Sequence, residues 1–247
     1  MSAASRSQTE QRLIHVRGPR PTHIQLAREV RDVAVAIPLF ATAPLLRRWH
    51  RRWGATDAEV AATMPGDELV PGCQYPCTRA ITIDAVAAIT IDAPPAAVWP
   101  WLVQVGFGKA GFYSNDLLDN AAHPSADRIL TEFQDPEVGD WVPMFSRIND
   151  TTAFRIAAIK PGEELVWGKP DSTWAWTLTD IYGRTRLVTR LRILYRWHRP
   201  ADALLSLVLN ELGDFPMMRR MLLTLKQRAE ANPAAERQVP CHRRIIP

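Results

Sequence analysis

Cysteine is scarce in this chain: three in 247 residues, too few to staple a disulfide framework. Cys73 and Cys77 stand as C-x3-C, but no second Cys or His pair follows nearby. Cys241 and His242 lie far down the chain, so spacing alone does not assemble the four ligands of a zinc site. No metal and no cofactor is expected. Lysine occurs four times (Lys109, Lys160, Lys169, Lys226) against 26 arginines, an excess that codon usage explains without any ligand. In the main body only His123 and His198 occur, each beside a proline, with no nucleophile at motif spacing. G-x-S-x-G is absent, so no hydrolase signature is present. Long apolar runs are missing too. Residues 33–46 are apolar but contain Pro38 and Pro44, and a spanning helix needs about 20 residues. That run starts late and ends in arginine and tryptophan rather than in a small-residue cleavage site, which argues against a signal peptide.

What is present is a globular composition, 47% hydrophobic and 23% charged. The net charge of +4 is unevenly placed: residues 1–53 carry +7 and the remainder −3. A nucleic-acid-binding domain would carry its basic stripe on the folded body, so no nucleic-acid partner is expected. Residues 1–24 are polar and read as disordered. A helical pattern begins at Gln25. Trp49, Trp53 and four arginines at the end of the apolar segment suit either packing on the main domain or contact of residues 25–53 with a membrane surface. The segment from 54 to about 77 reads as a linker, with a capped helix start at Thr56–Glu59 and repeated Pro and Gly. The expected organisation is therefore a basic extension over 1–77, a main domain over 78–231 and a flexible tail over 232–247.

Residues 81–88 and 89–96 form a tandem repeat, ITIDAVAA and ITIDAPPA, and Ile-Thr-Ile-Asp alternates as a strand does. Asp92 before two prolines opens a short helix with Val98, Leu102 and Val105 on one face, and Pro100 shortens or kinks it. Gly106–Gly111 matches G-x-G-x-x-G. A helix precedes it and no long helix follows, so the glycines serve a turn rather than a dinucleotide. A second short helix is expected over 113–120. Strands are expected over 138–145, 153–160, 164–168, 172–180 and 184–195. In the fourth, Trp174, Trp176 and Leu178 share a face. In the fifth, Leu187, Leu191, Ile193 and Tyr195 oppose Arg186, Val188, Arg190 and Arg192, as in a sheet wet on one side. An apolar stretch over 204–212 precedes a helix with Met218, Met221, Leu222, Leu225 and Ala229 in one stripe. The order is strand, two short helices, antiparallel strands and a long C-terminal helix. It predicts an α+β layer fold with a cavity between the curved sheet and the helix.

The stretch ITIDAPPAAVWPWLVQVG (89–106) resembles the helix-grip superfamily called SRPBCC, as do GFYSND (111–116), DSTWAW (171–176), GRTRLVTR (183–190) and MLLTLK (221–226). That superfamily includes START lipid-transfer domains, birch-pollen-allergen-like proteins and bacterial polyketide cyclase/dehydrase-like proteins. Residues 52–71 resemble lead-in segments of uncharacterised bacterial members. The likeness covers about 52–231, and the duplicated first strand departs from the usual pattern. It implies a helix-grip fold that takes a hydrophobic small molecule, lipid or polyketide-like, into its interior. It does not choose among carriers, receptors and cyclases.

Three functions stay open. A binding protein or carrier would use Phe112, Tyr113, Trp141, Trp167, Trp174 and Trp176 to line an apolar pocket, although aromatics on strands also serve as ordinary core. A cyclase, aromatase or dehydratase would need an acid or base facing the cavity, with Tyr113, Asp116, Glu132 and Arg190 as candidates. Asp116 and Asp119, three apart on a short helix, also fit a solvated face. The third possibility is a membrane-peripheral lipid-binding protein docking through its basic arm. A cytoplasmic location, with or without association at the cytoplasmic face of a membrane, fits all three.

Overall fold

A computed structural model describes residues 21–42, 45–83, 95–195 and 213–231, with single residues at 197, 204 and 210. Most of the second copy of the tandem repeat, most of the stretch 204–212, the start and the tail of the chain, His198 and Cys241 lie outside the described residues.

Among the described residues, period-two alternation builds six strands: β1 (Tyr75–Ile83), β2 (Trp141–Pro143), β3 (Ala153–Lys160), β4 (Glu164–Lys169), β5 (Ser172–Ile181) and β6 (Arg184–Ile193). They form one antiparallel sheet in the order β1-β6-β5-β4-β3-β2. The strands β2 to β6 run as a meander, and β1 closes on β6 with Ile81 opposite Leu187 and Ile83 opposite Thr185. The start of the first repeat copy, Ile81 to Ile83, is thus in the sheet. Between β1 and β2 lie α4 (Pro95–Val103), a short helix that runs through Pro100, and α5 (Asp116–Asp119). The long helix α6 (Asp214–Glu230) buries Phe215, Met218, Met221, Leu222, Leu225 and Ala229. At roughly 1.5–3 kcal/mol for each large apolar side chain removed from water, that face holds the helix on the sheet. It packs against β1 and α4. The architecture is α+β, as the element order implied, and it is the helix grip that the resemblance implied.

The outer face of the sheet differs from expectation. Arg186, Arg190 and Arg192 do not face open water, because residues 54–72 cross the sheet as a strap. The strap contains α3 (Asp57–Ala61), capped by a reciprocal Thr56–Glu59 box. Glu59 then accepts both Arg186 Nε and Arg186 Nη2 at 2.7 Å. Beneath the strap lies a second, small apolar core of Met64, Ala80, Val166, Ala175 and Val188. Gly54 is required where the strap leaves the sheet: its φ is +74°, and a Cβ there would stand 2.0 Å from the Ala80 carbonyl oxygen.

At the N-terminus, α1 (His23–Thr42) is a helix of 20 residues that lies on α5 and α6. Arg220 of α6 holds it by Glu29 at 2.9 Å and Asp32 at 3.1 Å. Its remaining surface exposes Ile24, Val30, Val35 and Ile37. A short helix, α2 (Arg47–Arg51), follows and contacts β1. Among the described residues no helix is long and apolar enough to cross a membrane.

Candidate functional site

Strand pairing creates a tryptophan cluster in the grip. The β4–β5 register sets Trp167 directly opposite Trp174, and alternation puts Trp176 on the same face. Ring centroids lie 5.2 Å apart for Trp167–Trp174, 5.6 Å for Trp167–Trp176 and 5.0 Å for Trp174–Trp176. Phe154 meets Trp174 edge-on at 6.3 Å. The three indoles differ in their polar ends. Trp174 Nε1 donates to Thr189 Oγ1 at 2.9 Å, and that hydroxyl donates onward to the Ala175 carbonyl. Trp167 Nε1 and Trp176 Nε1 are buried with no acceptor among the described residues, as is Trp101 Nε1 on α4. A buried donor left unmet costs about 1–3 kcal/mol, so such groups call for an explanation.

Beside the tryptophans, the helical segment makes a rigid hub. Gly106 and Gly111 bond to each other across a tight turn at 3.1 Å, which is the structural role of the glycine motif. Phe112 and Tyr113 follow directly and are both buried. Gln104 Nε2 donates to the Tyr113 hydroxyl at 2.7 Å, and that hydroxyl donates to the Trp101 carbonyl at 3.1 Å. The Arg228 guanidinium lies over the Tyr113 ring at 4.4 Å. Burial pushes the Tyr113 phenol well above its ordinary value, so it stays protonated at neutral pH. Both Asp116 oxygens accept from Ser125, one from its amide at 2.9 Å and one from its hydroxyl. Lys109, in the glycine turn, is pushed down to about 8 by burial and bonds the Val103 carbonyl.

Of the eight residues singled out from sequence, Phe112, Tyr113, Trp167, Trp174 and Trp176 come together in one core. Asp116 sits at its margin and anchors the loop to Ser125. Trp141 and Arg190 do not join them. Trp141 pairs with Arg155 rather than with Phe154, so alternation sends it outward, where the Arg155 guanidinium covers it at 3.6 Å. Arg190 alternates with Thr189 and Leu191 and lies on the outer face, where it bonds Thr78, Asp67 and three carbonyls of the strap. Glu132 is exposed on a single 3-10 turn. Asp119 is not on a solvated face: both its carboxyl oxygens are buried. Burial, with the carboxylates of Asp116 and Glu29 nearby, pushes it up to about 8.

Sequence reading missed Thr189, Gln104 and Arg228. Thr189 left a usable signal, since it is the one polar residue between Leu187 and Leu191 on the oily face of β6. Gln104 and Arg228 left none, because their partners are distant in sequence. Clefts among the described residues lie outside the grip. A small one of about 40 Å³ opens beneath α1, beside Val33, Ser114 and Met217. A larger one of about 350 Å³ lies where α2 meets the outer sheet face. Among the described residues no cluster of His, Cys, Asp or Glu is placed to hold a metal ion.

No family model matches the chain, and no curated protein matches it. Solved structures do. The Polyketide_cyc-like protein of Corynebacterium glutamicum is 12% identical with a TM-score of 0.37, over 69% of this chain and 98% of that one. A protein of Chromobacterium violaceum is 13% identical with a TM-score of 0.35, over 63% and 99%. The AHSA1-like protein of Aeromonas hydrophila is 16% identical with a TM-score of 0.30, over 66% and 99%. At such TM-scores the likeness carries no weight of its own. The helix grip rests on the strand order and on α6 lying across it.

Proposed function

We propose that the grip binds a largely apolar small molecule, of lipid or polyketide type, that also carries hydrogen-bond acceptors. The observation that carries this reading is the tryptophan cluster with two indole donors, Trp167 Nε1 and Trp176 Nε1, that meet no acceptor among the described residues, in a mainly apolar interior. Ligand pockets of this kind are mainly apolar with a few placed polar groups. Side chains now occupy that interior, so entry of a ligand requires α6 or its Met218 and Met221 side chains to give way. Thioethers adapt readily to such changes. Catalysis is not part of the proposal. Ser125 engages Asp116, the Tyr113 hydroxyl is committed and protonated, and Glu132 faces solvent.

Tryptophan emission reports directly on the site. Titration with long-chain fatty acids, sterols and polycyclic aromatic polyketides should quench or shift emission for at least one class. Trp176→Phe, which keeps an aromatic ring but removes the donor, should weaken that ligand. No response to any class would overturn the reading.

A second reading, contact of residues 25–53 with a membrane surface, is favoured by the exposed Ile24, Val35, Ile37, Leu45 and Trp49 in a segment that also carries Arg47, Arg48 and Arg51. Replacing Ile24, Val35 and Ile37 by Gln should abolish co-sedimentation with anionic vesicles. Unchanged pelleting would refute it.

A further inference from the structure

The larger cleft has a lining of one chemical kind. Arg48, Arg51 and Arg52 reach it from α2 and the turn after it, Arg190 and Arg192 from β6, and Pro76, Thr78 and Val60 complete it. No carboxylate lines it. The backbone fixes α2 in place: Arg79 Nε donates to the His50 carbonyl at 2.7 Å, and Cys77 Sγ donates to the Arg51 carbonyl at 3.5 Å. The guanidiniums are therefore gathered by the fold rather than by a flexible arm.

These arginines are not equivalent. Arg190 spends its donors on Thr78, Asp67, Ala62, Glu59 and Val60, so it forms the wall of the cleft. Arg192 shares Asp67 at 3.5 Å and gives one Nη to the Val70 carbonyl, but its buried Nε has no acceptor among the described residues. Among the described residues Arg52 pairs only with Asp57, whose side chain is 94% exposed. Arg48 has no carboxylate partner among the described residues. Asp67 and Asp57 offset part of this charge, but five guanidiniums beside two carboxylates leave the cleft cationic and favour a further anion. Guanidiniums that converge from two elements suit a tetrahedral oxyanion, whose several oxygens accept from several directions, better than a planar carboxylate.

We infer that this cleft is a binding site for a phosphate group, with Arg48, Arg52 and Arg192 as its donors and Arg190 as the positioning residue behind them. The cleft is a local pocket rather than a stripe along the surface, so it takes one phosphate or phosphomonoester and not a polyanion. At about 350 Å³ it has room for an organic group attached to that phosphate. The phosphate comes either from a soluble phosphomonoester or from a lipid headgroup; the recognition chemistry is the same. The inference stands apart from ligand binding in the grip, which lies on the opposite face of the sheet.

The test uses the full chain and three probes: inorganic phosphate, glycerol 3-phosphate, and phosphatidylcholine vesicles with or without phosphatidic acid. Calorimetry reads the soluble probes and co-sedimentation reads the vesicles. The doubly substituted Arg48→Gln/Arg52→Gln chain should bind at least about tenfold more weakly, since charge-assisted bonds to phosphate are among the strong ones. Arg48→Gln alone breaks no side-chain hydrogen bond or ion pair among the described residues, so it should weaken binding while leaving the melting temperature in place. Saturation by the soluble probes, lost in the variants, supports the site with a soluble source. Binding only to phosphatidic-acid vesicles, lost in the variants, supports the same site with a lipid source. No binding to any probe, or binding that the variants leave unchanged, overturns the inference.

Discussion

Arg79 Nη1 lies 2.8 Å from Asp214 Oδ2, and the guanidinium is 1% exposed. The pair joins the middle of β1 to the first residue of α6. The Tyr75 hydroxyl lies 3.0 Å from the same oxygen. Removing one partner strands a buried charge, so Asp214→Asn should cost about 3–5 kcal/mol in urea unfolding. Replacing both partners, Arg79→Met with Asp214→Leu, should recover most of that loss. A loss under about 1 kcal/mol for the single variant would mean that water reaches the pair.

Glu59 couples the strap to the sheet. Its bidentate bond from Arg186, together with the capping bonds of Thr56, holds its carboxyl down to about 2. The unfolded chain titrates this group near 4.5, so the folded carboxylate contributes fully above that pH and is lost as pH falls through about 2. Glu59→Gln should cost about 2 kcal/mol at neutral pH, the scale of hydrogen bonds to charged groups. It should also flatten the stability profile below pH 4.5. Acid titration of both chains by circular dichroism measures the difference.

Asp119 has the opposite sign. Burial raises its carboxyl from 3.8 to about 8, so the fold retains a proton that the unfolded chain gives up. Stability from this group falls as pH rises between those two values and is level above the upper one. Asp119→Asn should remove the slope and stabilise the protein at pH 7 by about 2 kcal/mol. A variant less stable than the parent at pH 7 would show that the carboxylate is ionised and paired in the fold.

Thr189→Val keeps the shape of the side chain but removes the acceptor for Trp174 Nε1. The stranded indole donor should cost about 1–3 kcal/mol. In a Trp174→Phe background, where no donor remains, the same substitution should be close to neutral. A cost that persists there would trace to packing instead.

Legibility followed locality. The alternation of β5 and β6 and the stripe of α6 were readable because each repeats within a few residues. They placed Trp174, Trp176 and Leu178 on the inner face and Arg186, Arg190 and Arg192 on the outer one. Trp141 was misplaced because β2 is only three residues long, too short for its parity to be read. Residues 54–72 looked like a linker because their proline and glycine content is loop-like. Their actual partners are distant: Glu59 and Arg186 are 127 residues apart, and Asp67 and Arg190 are 123 apart. Ion pairs across such separations leave no periodic trace. The arginine cleft was invisible for the same reason, since α2, β1 and β6 supply it from three parts of the chain.

The pairing of β1 with β6 bears on how the chain assembles. Thr78 and Arg190 meet across 112 residues, whereas β3 to β6 are joined by short turns and β2 reaches β3 through a single loop. During synthesis the meander can zip up locally while β1 waits with one edge unsatisfied, because closing so long a loop costs entropy before any contact rewards it. The strap that leads into β1 then docks with it as a late unit. Amide hydrogens of residues 55–62 and of β1 should accordingly exchange with solvent sooner than those of β5, even though both strands lie in one continuous sheet.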